Sequence, residues 1–230
     1  MSTSTARCAT QALSPARIVA LAAGSLALIL ALAPWQSAAA TETDNSPWVL
    51  LSQLRDALQE AGPTSGRFVQ TYIPAGFESG DQESGHLSIW LPDCLRWNYT
   101  DPQAKSFLVC EGQVYFWNEG ETGGRNYKID PSEEPGLDLL LVDVSTLRQR
   151  YVASSEKTSS GSYVISLAMP PSAEGSFSAR IEIDSAKERV LALEYTDGEG
   201  NLTRFKISNY SRLSHTALFK PPSGMQWTEE

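Results

Sequence analysis

The sequence from Gly85 to Asn118 decides the fold, and it reads GHLSIWLPDCLRWNYTDPQAKSFLVCEGQVYFWN. Apolar and polar residues alternate along it, and Pro, Asp and Gly residues separate the alternating runs. This pattern is typical of consecutive antiparallel strands joined by short turns. We predict strands at His86 to Leu91, Cys94 to Tyr99, Ser106 to Cys110 and Gln113 to Trp117.

The second and third of these strands predict a hairpin with one apolar face. If the hairpin folds symmetrically about Pro102, the facing pairs are Leu95 with Val109, Trp97 with Phe107, and Cys94 with Cys110. Facing Cβ atoms lie roughly 4.5–5.5 Å apart, and a disulfide needs roughly 3.5–4.5 Å. The cysteine pair is therefore a candidate disulfide. The alternatives are two free cysteines that face each other, or a register that is slipped by one residue.

Residues 1–40 predict an export signal. Arg7 and Arg17 supply a basic start, an apolar run follows, and Ala38-Ala39-Ala40 fits a cleavage site. The alternative is an uncleaved membrane anchor, but the apolar run is shorter than the roughly 20 residues of a spanning helix. We expect export, cleavage near Ala40 and a single mature domain at residues 41–230.

The charge of the chain excludes some classes of partner. The formal net charge is −9, and residues 1–40 contain two arginines and no acidic residue, so their removal changes the charge to −11. A chain this acidic repels nucleic acid and anionic membrane surfaces. Two cysteines remain after export, which is an even number in an oxidising compartment.

Two helices are predicted from apolar stripes at helical spacing. The first begins at Ser46-Pro47 and ends before Gly62-Pro63. The second covers residues 137–151 and follows the polar segment 118–136.

Alternating runs elsewhere predict further strands, which bring the expected number to eight or nine. They lie at residues 66–73, 162–169, 177–183, 190–195 and 202–207. We predict an α+β fold in which a strongly curved antiparallel sheet, or unclosed β-barrel, carries the helices against one side. We expect the chain to end its pairing at Pro221-Pro222.

The sequence offers little for catalysis. Its two histidines, His86 and His215, cannot supply the three or four closely spaced ligands of a metal site. It has no G-x-S-x-G motif and no phosphate-binding loop. The sequence does not decide whether two carboxylates lie close enough to hydrolyse a glycoside. We expect no enzyme activity, catalytic residue, metal or cofactor.

The apolar and aromatic strand residues have two interpretations. They form either a dry core between the sheet and the helices, or a cavity under the helix at 137–151, since barrel mouths are common ligand sites. Periodicity alone does not decide between them.

Short motifs follow one another in a fixed order through residues 48–227. They are Phe68-Val69-Gln70, Gly85-His86-Leu87, Pro92, Arg96-Trp97-Asn98-Tyr99, Asp101-Pro102, Glu111-Gly112, Asp197, Gly200-Asn201 and Phe219-Lys220-Pro221-Pro222-Ser223-Gly224. In order and spacing, this series resembles the LolA family of periplasmic outer-membrane lipoprotein carriers.

The resemblance implies an unclosed antiparallel barrel with a helical lid over a hydrophobic cavity. It implies a monomeric carrier without catalysis, located in the periplasm. This carrier accepts triacylated lipoproteins from an inner-membrane ABC-type release complex and delivers them to an outer-membrane acceptor. The residues that map to the acyl-chain cavity are Phe68, Leu87, Ile89, Leu95, Trp97, Tyr99, Phe107, Val109, Leu140, Leu141 and Val144. None of them is basic, which favours acyl chains over a charged cargo.

One position departs from the family pattern. The family typically places an Arg just before the Pro that ends the first strand of the central sheet, and that Arg is thought to latch the lid. Here the residue is Leu91. The departure leaves room for a lid that is held differently, for a carrier of another lipid or glycolipid, or for a lipid-sensing regulator on the same fold.

Overall fold

The structure, a computed structural model, describes residues 45–131, 134–170 and 176–229, and the predicted signal peptide at 1–40 lies outside them. The described helices are α1 (Pro47–Ala61), α2 (Asp138–Leu141), α3 (Val144–Arg150) and a 3₁₀ turn (Ala217–Phe219). The described strands are β1 (Thr64–Ile73), β2 (Asp81–Trp90), β3 (Cys94–Asp101), β4 (Lys105–Cys110), β5 (Gln113–Asn118), β6 (Gly123–Lys128), β7 (Val152–Lys157), β8 (Tyr163–Ala168), β9 (Ser178–Ile183), β10 (Val190–Thr196), β11 (Leu202–Arg212) and β12 (Gln226–Glu229).

The strands form one sheet in the order β12-β6-β5-β4-β3-β2-β1-β11-β10-β9-β8-β7, with β12 and β7 at its two edges. The β12–β6 pair is parallel, and the other pairs are antiparallel. Helix α1 contacts both β2 and β7. In this order β2 and β7 are six strand spacings apart, so they would lie about 29 Å apart in a flat sheet. This distance exceeds the roughly 22 Å length of a 15-residue helix. The sheet therefore curves around α1 and stays open, as the sequence predicted.

Helix α1 forms where its capping residues and apolar stripe predict it. The Ser46 hydroxyl accepts a hydrogen bond from the Val49 N–H at 3.5 Å, and Pro47 occupies the first turn. Four leucines on one face are buried between the sheet and α3: Leu50, Leu51, Leu54 and Leu58. Each fully buried leucine contributes roughly 1.5–3 kcal/mol of transfer free energy, so this face fixes α1 against the concave side.

The β3–β4 hairpin has the predicted register. Leu95 pairs with Val109, Trp97 with Phe107, and Cys94 with Cys110. Cys94 and Cys110 form a disulfide, with Cα atoms 4.2 Å apart. It lies on the convex face, beside Phe219 of the C-terminal segment.

Removal of this disulfide is expected to destabilise the fold without touching the concave side. The bridge closes a loop of 16 residues, and a loop of that length contributes about 3 kcal/mol through loss of unfolded-state entropy. The variant C94A/C110A should therefore lose about 3 kcal/mol of unfolding free energy in urea titrations. The wild type in reductant is the control and should lose a similar amount. An unchanged midpoint in both would contradict a structural role for the bridge.

The second predicted helix differs from the structure, because it breaks in two. Val142 is extended, with φ −87° and ψ 145°, and Asp143 begins α3 by accepting a hydrogen bond from the Thr146 N–H at 3.0 Å. Hydrogen bonds from Ser145 and Thr146 lower the pKa of Asp143 to about 2. Apolar spacing continues across the break, so it could not reveal this cap.

The prediction that pairing stops at Pro221-Pro222 is wrong, because β12 follows and pairs in parallel with β6. Its pairing adds Trp227 to the convex cluster around Cys94 and Phe219. Strand β7 was also missed, because as an edge strand it carries the mostly polar sequence VASSEK.

Candidate functional site

One apolar cluster fills the space between the concave face of the sheet and the helices. All the residues that the sequence assigned to a cavity are in it or packed against it. Seven of them are buried, and six of these, all except Trp97, line neither of the two openings described below and form its packed part: Phe68, Leu87, Ile89, Leu95, Val109 and Leu140. This packed part is a core in the present state of the molecule.

The other assigned residues border two openings. Trp97, Tyr99 and Phe107 line an apolar cleft, whereas Leu141 and Val144 line a groove between α1 and α3. Their assignment to acyl-chain binding stays a prediction. The structure divides the set into core, cleft and groove, which alternation along a strand cannot do.

The apolar cleft has a volume of about 350 Å³ and lies between the sheet and the start of α2. Its lining residues are Gln70, Trp97, Tyr99, Lys105, Phe107, Phe116, Pro135, Gly136, Leu137, Leu193, Tyr195 and Phe205. Trp97 and Phe107 pack edge to face, with ring centroids 5.9 Å apart. Pockets of this kind, apolar with a few polar groups, are the usual sites for small ligands.

Two polar pairs border this cleft. The Lys105 ammonium lies 2.6 Å from a carboxylate oxygen of Glu83 and over the ring of Tyr99. The Tyr99 hydroxyl donates to the Gln70 side-chain oxygen at 2.6 Å. Burial, with the negative charge of Glu83, raises the pKa of Tyr99 above its ordinary value.

Lys105 is a basic residue of the cleft that the sequence did not assign to the cavity, whereas none of the assigned positions is basic. The lysine begins β4 and lines the cleft together with Phe107, two residues further along. Residues two apart share a face of a strand, so the alternation that assigned Phe107 would also have found Lys105. The Glu83 contact required the β2–β3–β4 order of the sheet.

Asp138 holds the start of α2 from within the protein. Its carboxylate is fully buried and accepts hydrogen bonds from the Gly136 N–H at 2.9 Å and the Tyr151 hydroxyl at 2.6 Å. Arg150 lies 2.9 Å from the same carboxylate. Burial and the hydrogen bond to Asp138 raise the pKa of Tyr151. A buried carboxylate needs such partners, and here they join α2 to the end of α3.

Arg55 holds the other end of α2. Its guanidinium donates to the Leu140 carbonyl at 2.6 Å and to the Leu141 carbonyl at 3.5 Å. These carbonyls lie at the C-terminal end of the helix, where a cation is favoured. Burial lowers the pKa of Arg55, while the charges of Asp143 and Asp56 act in the opposite direction.

Leu91, at the position where the family resemblance leads one to expect Arg, is buried in the apolar cluster. Its neighbour Pro92 lines the same groove as Arg55, and this groove has a volume of about 780 Å³. The spacing of α1 could have pointed to Arg55, because it follows Leu51 by four residues on the buried face. The contact with α2 could not be seen in the sequence.

Two general features of the described residues bear on the site. Within 45–131, 134–170 and 176–229, no three His, Cys, Asp or Glu side chains are grouped to hold a metal ion. Across the same ranges, no helix has the length and hydropathy that would let it span a membrane.

Comparison with solved structures finds similar folds at low sequence identity. An uncharacterized conserved protein from Thermus thermophilus matches with a TM-score of 0.50 and 12% identity, covering 79% of this chain and 97% of its own. A LolA superfamily protein from Nitrosomonas europaea gives a TM-score of 0.43 at 8% identity and covers 76% of this chain and 98% of its own. A chain from the Pseudomonas aeruginosa MucA/MucB complex gives 0.42 at 14% identity and covers 78% and 62%.

Comparison by sequence gives the family. No curated protein matches the chain significantly. The family model described as outer membrane lipoprotein carrier protein LolA matches residues 59–221, which include β1 to β11, α2, α3 and all the residues that line the cleft. The chain therefore belongs to the LolA family.

Proposed function

We propose that this protein is a periplasmic carrier that binds lipoprotein acyl chains in the apolar cleft and transports them from the inner to the outer membrane. The observation that carries the proposal is the cleft itself, which is walled by aromatic and aliphatic side chains and open beside α2. Membership in the LolA family supports it. On this account the protein binds and releases its cargo and catalyses no reaction.

The energetics of acyl chains explain why a carrier is needed. Each methylene group removed from water contributes about 0.8 kcal/mol, so a chain of about 16 carbons costs on the order of 10 kcal/mol to expose. A triacylated cargo has three such chains, so exposing all of them to water would cost about three times this free energy. An apolar binding site in a water-soluble chain offsets most of that free energy during the crossing.

The size of the cleft requires movement for such a cargo. A methylene group occupies roughly the volume of a water molecule, about 30 Å³, so 350 Å³ has room for about a dozen carbons. Three acyl chains need several times this volume. We propose that the lid segment, residues 135–151, moves away from the sheet when the full cargo binds.

The contacts of α2 stabilise the closed state of this lid segment. Arg55 donates to two backbone carbonyls at the end of α2, in the middle of the lid segment, and the buried Asp138 joins α2 to Arg150 and Tyr151. We propose that Arg55 takes the latch role that the family assigns to the position of Leu91. A latch made of hydrogen bonds can open and close at modest cost, because water replaces the lost partners.

The partners follow from the same proposal. The cargo would enter from an inner-membrane ABC-type lipoprotein release complex and leave to an outer-membrane lipoprotein acceptor. The export signal predicted at residues 1–40 would place the chain in the periplasm, where a monomer would be sufficient for this transfer.

The proposal can be tested with a synthetic tripalmitoylated lipopeptide in detergent-free buffer. We expect the lipopeptide to co-elute with the monomeric protein in gel filtration, because its chains enter the opened cavity. The same peptide without acyl chains is the control and should elute separately. Lipopeptide that stays in aggregates despite excess protein would contradict lipoprotein carriage.

The volume of the cleft favours one second candidate. A lipid with a single chain of about a dozen carbons fits the present cleft without movement of the lid segment. Carriage of another lipid or glycolipid would take precedence if such lipids bind and the tripalmitoylated peptide does not.

A further inference from the structure

The polar groups beside the apolar cleft are placed to distinguish one kind of acyl compound from another. Lys105 and Gln70 both line the cleft, as does Tyr99, which contacts both of them. The other lining residues near them are aromatic or aliphatic. A chain that fills the cleft would therefore end with its first polar group beside Lys105.

Lys105 can donate hydrogen bonds there without acting as an uncompensated positive charge. An ammonium group has three N–H donors, and Glu83 accepts one of them at 2.6 Å. Side-chain exposures of 25% for Lys105 and 23% for Glu83 leave the pair only partly solvated, so its charges are weakly screened. An anion that approached Lys105 would also approach Glu83.

Tyr99 is a second polar residue beside Lys105, and it is uncharged. Its partly buried hydroxyl stays neutral, because burial and the charge of Glu83 raise its pKa, and it already donates to Gln70. The ring lies 4.7 Å from the Lys105 nitrogen and fixes the position of the ammonium group. The site thus offers donors in fixed positions and no net positive charge.

We infer that the cleft selects acyl chains whose first polar group is an uncharged ester or amide carbonyl, and discriminates against ionised fatty acids. The inference rests on the proposed binding of acyl chains and specifies their chemical class. Lys105 is the hydrogen-bond donor to the carbonyl, and Glu83 is the residue that excludes the carboxylate. A triacylated cargo carries ester- and amide-linked chains, whereas free fatty acids would compete with it for the cleft.

Calorimetric titration with two twelve-carbon lipids tests the inference at pH 8, below their micellar concentrations. For the wild type we expect monolauroylglycerol to bind about tenfold more tightly than laurate, since like charges disfavour the anion. The variant E83Q removes the repulsion, so laurate should gain about tenfold while monolauroylglycerol changes by less than about twofold. Glu60→Gln, which removes an equal charge at an exposed site on α1, is the matched control and should leave both affinities unchanged.

The outcomes separate the inference from the proposed function. If both lipids bind the wild type equally and E83Q changes neither affinity, the selection by Lys105 and Glu83 is wrong while acyl binding stands. If neither lipid binds the wild type, the acyl cleft itself is wrong. If E60Q reproduces the effect of E83Q, the preference comes from net charge and the inference is overturned.

Discussion

Replacing Phe107 with Asp should lower the affinity for the tripalmitoylated peptide by about 100-fold or more. Phe107 lines the apolar cleft and packs against Trp97, so an ionised carboxylate at this position would face the acyl chain. An unpaired buried charge costs at least about 3 kcal/mol, which corresponds to a factor of more than about 100 in affinity. The short Asp side chain gains little from Lys105, because Glu83 already holds that ammonium.

The fold should survive this change, and two further variants separate binding from stability. Phe107 is only half-buried, so water can solvate a carboxylate there when the cleft is empty. Val69→Asp is the matched control, since Val69 is 43% exposed on β1 and lies on the opposite face from Phe68. We expect V69D and the conservative F107L to stay within about threefold of the wild-type affinity, since neither places a charge in the cleft. Unchanged binding by F107D would contradict the location of the site.

Replacing Arg55 with Met should loosen α2 while leaving the sheet intact. The variant keeps the apolar stem of the side chain and removes its donors to the Leu140 and Leu141 carbonyls. Hydrogen bonds to charged groups contribute about 1.5–3 kcal/mol, so local opening of the lid segment should become about 10- to 100-fold more frequent. The α2 amides that report this are those of Leu141 and Val142, which donate to the Leu137 and Asp138 carbonyls.

Hydrogen exchange followed by mass spectrometry measures this opening. We expect faster exchange in peptides that cover residues 137–142 and unchanged exchange in β3 and β4. Arg67→Met is the control, because Arg67 is an exposed residue of β1, and it should change neither region. Cargo should also leave R55M faster than the wild type. Equal exchange at 137–142 in R55M and the wild type would show that Arg55 does not hold the lid segment.

The sequence predicted the central hairpin well because its register depends on local features. Pro102 and its neighbours fix the turn, and the alternation of Leu95, Trp97 and Tyr99 fixes the face, so the Cys94–Cys110 pair followed. The edges of the sheet were harder. The edge strands β7 and β12 lack the apolar alternation that marks a central strand, because only part of each strand is covered by other residues.

The candidate site was predicted only as a set of inward-facing residues. Alternation identified Trp97, Tyr99 and Phe107, which line the cleft, but it gave the buried Leu95 the same weight. Whether an inward residue borders space or packing depends on where α1 and α2 lie over the sheet. That placement rests on long-range contacts, such as that of Arg55 with the Leu140 carbonyl, 85 residues away in the chain.

The most direct test of lipoprotein carriage is native mass spectrometry of the protein purified without detergent from its own host. Lipoprotein carriage predicts bound masses that match triacylated lipoproteins and that disappear in the F107D variant but persist in V69D. A protein that carries only free fatty acids, or that carries no lipid even when its host is supplied with excess lipoprotein, would contradict it.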